Sequence, residues 1–489
     1  MRLNAVARLI GRVRGHRLPG YLLFAVSVVL VSYRFANHDL FSFVLDEPQF
    51  LDAARAQLAT GKWASASPIA GNQGLHYGPA IVWLHGAIDL VAGPAPGIHI
   101  LVMTMLMVAA HIILALGLGR LYGDRIMVSA TVLVVLASSP YQFLWSRVAW
   151  DELVDVNVAL AVGLLCWRSQ LSAGRALAIG ALLGLALSTH LMVSPLTVFL
   201  LGLVVVQSPR GRRIVNTLLV VGCVGVINLP YASYLTGQAS SPTPGVPLDW
   251  TRFLIFLKEP VRVATLAGFQ HFLENDWTIF TQVSPTWGVV DRLDTTVAVL
   301  AIGVALTLVL TMIGASTRHR RRTAMLALAV WIGYAFFFTW RGQRSQPYYQ
   351  WTSYWIVPVA VAGMCNLLRQ RLSWLRPILI GLVWMGALFQ MQFLTDWMHF
   401  IRDRGGTRGT AYGTVLSEQR RMVRLACRQS AGPVVLRLEV ATFLESLSYL
   451  AAIEPLCFGK KLYADGQAPP EVPIRTVVYQ PGSARYDLR

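Results

Sequence analysis

Long apolar runs alternate along this chain with short turns that carry arginine, the pattern of membrane spans rather than of half-polar soluble helices. The runs are Tyr21–Ser32, Ile98–Leu118, Met127–Phe143, Leu153–Trp167, Ala176–Thr189, Leu191–Val206, Ile214–Leu235, Thr295–Gly314, Thr323–Trp340, Tyr349–Leu367 and Pro377–Leu394. They predict about eleven transmembrane helices, a crossing needing roughly 20 residues. Two weaker patterns lie between the first two runs. Pro48–Thr60 puts Phe50, Leu51, Ala54 and Leu58 on one side and Asp52, Arg55 and Gln57 elsewhere. That is an amphipathic helix suited to the headgroup layer, ended by Gly61-Lys62-Trp63. Gly78–Val91 is apolar but too short to span, and reads as a re-entrant or interfacial helix.

The polar stretches are the connection 35–96, the Pro- and Trp-containing stretch 236–291, and the tail 396–489. In the tail, Val-Val-Leu-Arg-Leu-Glu-Val, a helical Thr442–Ile453 and a strand candidate at Val477–Tyr479 suit a small α/β domain. The expected fold is therefore a polytopic α-helical membrane domain over 1–395, followed by a C-terminal α/β domain over 396–489.

Composition agrees. Only 13% of residues are charged, about half the usual share of about 25% in soluble domains. Mean hydropathy is +0.52. The net charge of +18 would suit nucleic acid, but the arginines sit in short clusters between apolar runs. Those clusters (Arg120 and Arg125, Arg168 and Arg175, Arg210–Arg213, Arg318–Arg322, and Arg369 with Arg371 and Arg376) fall in alternate loops. By the positive-inside rule they share the cytoplasmic face with the N-terminus, whose first span has no convincing cleavage site after it. An inner-membrane protein follows, with Asp46, Arg147, Asp151, the 236–291 loop, Arg341, Arg344 and the tail outside. Cys427 and Cys457 in the tail could pair in an oxidising compartment, but spacing alone does not decide it.

Candidate chemistry gathers on that outer face. Asp46 and Glu47 follow the first span, where a carboxylate is costly to bury and is often functional. Asp46 could take a proton from an attacking hydroxyl or amine; either acid could equally cap a helix starting at Pro48. His76 opens the short apolar piece and could touch an acceptor. Arg147 and Asp151 reach the same level, as an ordinary loop ion pair or as part of a site; there Arg147 could bind the donor phosphate and Asp151 could bind the acceptor or orient a catalytic partner. Arg341 and Arg344 break the charge rule, and a guanidinium fork suits a lipid phosphate; snorkelling is the structural alternative. His190 could donate a proton to the same phosphate, or pack. No nucleotide loop, internal repeat or metal-ligand spacing occurs, so no cofactor is indicated and a divalent ion is optional.

In order, these pieces are Asp-Glu after the first span, an interfacial helix ending at Gly-Lys-Trp, His76-Tyr77-Gly78-Pro79, an Arg-x-x-x-Asp loop, Ser188-Thr189-His190 and Arg341…Pro347-Tyr348-Tyr349. The chain over roughly 20–395 resembles the GT-C membrane glycosyltransferases, specifically the protein O-mannosyltransferase and lipid A aminoarabinose transferase group. The resemblance implies Asp46 as general base, Glu47 supporting it or the acceptor, and a polyprenyl-phosphate-linked monosaccharide as donor. It implies transfer with inversion to a lipid, glycan or protein acceptor. Where the group often has Lys after Thr, this chain has His190, and Tyr77-Gly78-Pro79 replaces a frequent double Pro. A transporter or flippase of a lipid-linked sugar is the rival reading, but transporters favour repeats and ionisable residues at the bilayer midplane. A silent glycan-binding or assembly protein is a third, which would need the tail but not Asp46.

Overall fold

The computed structural model describes residues 18–488 apart from 45, 70–75, 151, 238–245, 274, 343–351, 409–411, 430–433, 439–443, 458–461, 465–473 and 481–482. Helices dominate: α1 (Leu18–Ser32), α2 (Glu47–Thr60), α3 (Ala80–Ala92), α4 (Pro96–Tyr122), α5 (Arg125–Ser138), α6 (Pro140–Trp145), α7 (Leu153–Trp167), α8 (Ala173–Thr189), α9 (Ser194–Gln207) and α10 (Arg213–Thr236). They continue as α11 (Trp250–Val263), α12 (Leu266–Leu273), α13 (Asn275–Val283), α14 (Leu293–Gly314), α15 (Arg318–Trp340), α16 (Ile356–Arg371), α17 (Leu375–Arg404), α18 (Leu416–Gln429) and α19 (Leu444–Ile453).

Among the described residues six helical segments are long and apolar enough to cross a membrane: Leu18–Phe35, Pro96–Tyr122, Arg210–Thr236, Asp294–Gly314, Arg318–Trp340 and Leu375–Arg404. Others expected to span are shorter apolar helices packed between them. Val226 and Leu229 on α10, Val299 and Ile302 on α14, and Leu382 and Met385 on α17 are exposed. Such a surface is stable against acyl chains and not against water. The chain is an integral membrane protein.

Local chemistry explains where the helices depart from the apolar runs. The run Met127–Phe143 is two helices, because Pro140 has no N–H to continue α5 and the Ser139 hydroxyl accepts the N–H of Gln142 to start α6. The helix within Tyr349–Leu367 begins only at Ile356, after a turn closed by the Ile356 N–H on the Ser353 carbonyl. Helix α2 does not simply lie in the headgroup layer. Its Phe50 and Ala54 pack in one core with Ala80, Ile81 and Val82 of α3, Met103 of α4 and Leu153 of α7. Gln57, expected on its polar side, is buried and accepts the Ala64 N–H through Oε1.

Helix α17 runs on through residue 395 to Arg404 and stops at Gly405, whose φ of +74° suits a residue without Cβ. Beyond it lies a four-stranded sheet in the order β2-β1-β3-β4: β1 (Val434–Leu438), β2 (Leu462–Ala464), β3 (Ile474–Tyr479) and β4 (Tyr486–Leu488). β1 is parallel to β2 and β3, and β4 is antiparallel to β3. Helix α19 makes the crossover between β1 and β2. A disulfide joins Cys427 of α18 to Cys457, just past α19.

Candidate active site

Asp46 sits at the N-cap position of α2, half-buried, and its side chain makes no capping hydrogen bond to the helix. Glu47 does the holding. Its carboxylate is 1% exposed and accepts the N–H of Val44 (2.7 Å) and, from the loop before α7, the N–H of Ala149 (2.6 Å). Burial pushes Glu47 up to about 8, against the pull of both N–H donors and with the neighbouring Asp46 charge adding to the rise. One carboxylate thus joins the Asp46 loop to the loop before α7.

The other side of the Asp46 loop is gripped by the C-terminal unit. The Phe43 carbonyl accepts from Gln419 Nε2 (2.9 Å) and from the Ser446 hydroxyl (2.9 Å), and the Phe41 carbonyl accepts the Leu416 N–H (2.8 Å). Phe41, Phe43, Ile100 and Ala149 share a core with Met422, Val423, Leu447 and Tyr449. Among the described residues the tail shares its core with the segment that carries Asp46.

Below Ala149 runs a buried chain of three side chains. His85 Nε2 meets the Ala149 carbonyl (3.2 Å), His85 Nδ1 meets His99 Nδ1 (3.0 Å), and His99 Nε2 meets Asp89 Oδ1 (2.8 Å). With acceptors at both ends, three contacts need three protons on four ring nitrogens. Two neutral imidazoles supply two. Burial pushes His85 down to about 3 and keeps it neutral, so one of its ring nitrogens donates and the other accepts.

His76 and His190 meet through Tyr77. His76 is half-buried and donates from Nδ1 to the Ser67 carbonyl (2.8 Å), while the Tyr77 ring lies 4.3 Å from the ring of His190. Gly78 is required there, because a Cβ on it would come within 1.9 Å of the Ser188 carbonyl oxygen. His190 is 5% exposed, and its Nδ1 accepts the Met192 N–H (3.1 Å), so its ring proton is on Nε2. Burial pushes it down to about 3, so it can offer a neutral donor but not a cation. Arg341 is half-buried at the end of α15, its guanidinium over the Trp340 ring. Asp151 and Arg344 lie outside the described residues.

Arg147 requires a correction. Rather than reaching a donor phosphate, it is 1% exposed and donates to the carbonyls of Arg34, Ala36 and Asn37. Its guanidinium is stacked between Phe41 and Phe143. It pins the end of the first span, and a cation so engaged has little left for a ligand. The 236–291 stretch holds a buried cation paired with acids. Arg262 there is buried, bonded to Glu259 (2.7 Å) and Asp294 (2.6 Å).

Sequence reasoning missed Asp89, His85 and His99. A signal existed: His85 and Asp89 are four apart on α3 and so share a face. His99 could be added only with the α3–α4 packing in hand. Among the described residues no group of three or more His, Cys, Asp or Glu side chains could hold a metal ion.

No family model matches the sequence, and no curated protein matches it either. Solved structures do match. ArnT from Cupriavidus metallidurans in the apo state superposes with a TM-score of 0.52 at 14% identity, over 90% of this chain and 87% of that one. The same protein bound to undecaprenyl phosphate gives 0.50 at 13% identity, over 91% and 88%. The chain has the membrane fold of this aminoarabinose transferase, the GT-C glycosyltransferase fold that the sequence resemblance implied.

Proposed function

We propose that this protein transfers a monosaccharide from a polyprenyl-phosphate donor to a lipid, glycan or protein acceptor, with Asp46 as general base. One observation carries the reading: of two adjacent acids, Glu47 is buried and bonded to both loops, while Asp46 stays at the half-exposed rim. A base must reach the proton it removes, and only Asp46 of the pair has that access. The shared fold with a protein solved with undecaprenyl phosphate bound supports a lipid-linked donor. A phosphate leaving group needs little protonation, so one base with cationic help from Arg341 and Arg344 and a donor N–H on His190 is enough, with inversion at the anomeric carbon. His76 and Asp151 face the acceptor in this scheme. No cofactor is needed, and a divalent ion is optional.

The Cys427–Cys457 disulfide supports an oxidising, extracytoplasmic setting for the unit from about 396 onward, hence an inner-membrane enzyme with a cytoplasmic N-terminus. The test is sugar transfer in liposomes from a set of polyprenyl-phosphate sugars, native protein against Asp46→Asn. A loss of roughly 10²–10⁴-fold is expected. Equal transfer by the two proteins, or movement of an unchanged lipid-linked sugar across the bilayer with no transfer, overturns the reading.

A further inference from the structure

Helix α4 starts beside the Asp46 loop, where Ile100 packs with Phe43, and Arg120 lies about 30 Å further along it. There a cavity of about 1120 Å³ opens, comparable with ordinary small-ligand sites of about 300–1,000 Å³. Arg120, Arg125, Arg168, Arg175 and Arg212 line it together with His319, and no Asp or Glu does.

The arginines at this end of the bundle divide into two sets. Arg320 and Arg369 donate to the carbonyls of Leu121 and Gly123, closing the C-terminus of α4. Arg376 pairs with Asp124, and Arg175 donates to the Leu164 carbonyl. By contrast, among the described residues the guanidinium groups of Arg120, Arg125, Arg168 and Arg212 have no hydrogen bond or ion pair; Arg120 only stacks on Trp167 at 5.2 Å. His319 is 9% exposed and neither of its ring nitrogens closes a hydrogen bond, although the Cys166 backbone neighbours it. The positive-inside rule explains why these loops are basic. It does not explain why four unpaired guanidinium groups and a buried imidazole surround one concavity. Like charges so arranged repel unless an anion from outside the protein joins them.

We infer that this cavity binds a phosphate group, carried by an anionic lipid of the leaflet at that end of the bundle. Phosphate oxygens match the planar fork of arginine, and His319 adds a ring donor at the wall. Basic pockets between helix ends are a recurrent site for anionic headgroups. The inference is independent of the role given to Asp46.

The test measures binding to the purified full-length protein in detergent, using dioctanoyl phosphatidic acid, dioctanoyl phosphatidylcholine and inorganic phosphate. Phosphatidic acid should bind saturably and phosphatidylcholine should not. Arg168→Gln/Arg212→Gln should weaken binding roughly tenfold or more, as loss of two charge-assisted contacts implies. Arg168→Lys/Arg212→Lys, which keeps the charge and so the topology, should weaken it less but measurably, since only the fork is lost. Arg371→Gln, a charge removed outside the cavity, should leave it unchanged. If inorganic phosphate displaces the lipid at equal concentration, the site takes a free phosphate; if it does not, the headgroup is lipid-borne. Equal binding of phosphatidylcholine, native-like binding by both double variants, or an equal loss in Arg371→Gln overturns the inference.

Discussion

The carboxylate of Glu47 accepts the backbone N–H of Ala149 at 2.6 Å, tying the segment that carries Asp46 to the loop ahead of α7. A free glutamate carboxyl has a pKa of about 4.5, and burial pushes that of Glu47 up to about 8 in the fold. The folded state therefore holds an extra proton between those values. The stability it contributes is full below about 4.5, declines as pH rises, and is gone above about 8. Glu47→Gln removes the titration and one of two acceptors, costing about 1–3 kcal/mol. Melting in detergent from about pH 5 to about pH 9 should fall for the native protein and stay flatter for the variant. Parallel curves would show that Glu47 does not titrate in this range.

The grip of the tail on Phe41–Phe43 predicts that damage there reaches the Asp46 loop. The disulfide joins residues 30 apart, so Cys427→Ser/Cys457→Ser should lower stability by about 3–4 kcal/mol. Gln419→Ala removes one donor to the Phe43 carbonyl and should cost about 1–3 kcal/mol. In both, amide exchange at residues 41–44 should quicken and sugar transfer should fall. Unchanged exchange there would mean the tail is merely attached.

How much of this was legible in the sequence follows from which forces act locally. Apolar runs, arginine turns and the Pro48 helix start are properties of short windows, so the membrane fold and the Asp46–Glu47 pair could be read directly. The division of labour within that pair could not, because Glu47 owes its role to Ala149, 102 residues away. Arg147 misled for the same reason. An arginine beside a membrane signals a phosphate as readily as a cluster of carbonyls, and only packing shows that Phe41 and Phe143 enclose it. Asp89, His85 and His99 belong to two helices and acquire meaning only when those helices touch.

Gly78 offers a steric test of the His76–His190 cluster. A Cβ at this position would meet Ser188 backbone atoms, at 1.9 Å from the oxygen and 2.6 Å from the carbon, which cannot swing aside as a side chain can. Gly78→Ala should cost about 1–3 kcal/mol and shift the Tyr77 ring off His190. Gly202→Ala, where nothing lies within 4 Å, should change stability little and serves as the control. A Gly78→Ala protein that melts and transfers like the native one would refute the close approach.

The contacts among Asp89, His99 and His85 predict a specific spectroscopic signature, because all three close only with one proton more than two neutral imidazoles carry. With His85 neutral and donating to the Ala149 carbonyl, His99 must donate to both His85 and Asp89, or Asp89 must supply the missing proton itself. Asp89→Leu, of similar size, removes both the charge that balances an imidazolium and any carboxyl proton, so His99 Nε2 is left without its partner. The cost should be about 1–3 kcal/mol, for a buried polar group left without its partner. Ring-nitrogen resonances should show an imidazolium in the native protein that Asp89→Leu lacks, or a carbonyl-stretch band of a protonated Asp89 in its place. Transfer should also weaken, because Ala149 holds Glu47 in position beside Asp46. A native protein with two neutral histidines and an ionised Asp89 would leave the chain one proton short and refute its role in fixing the loop.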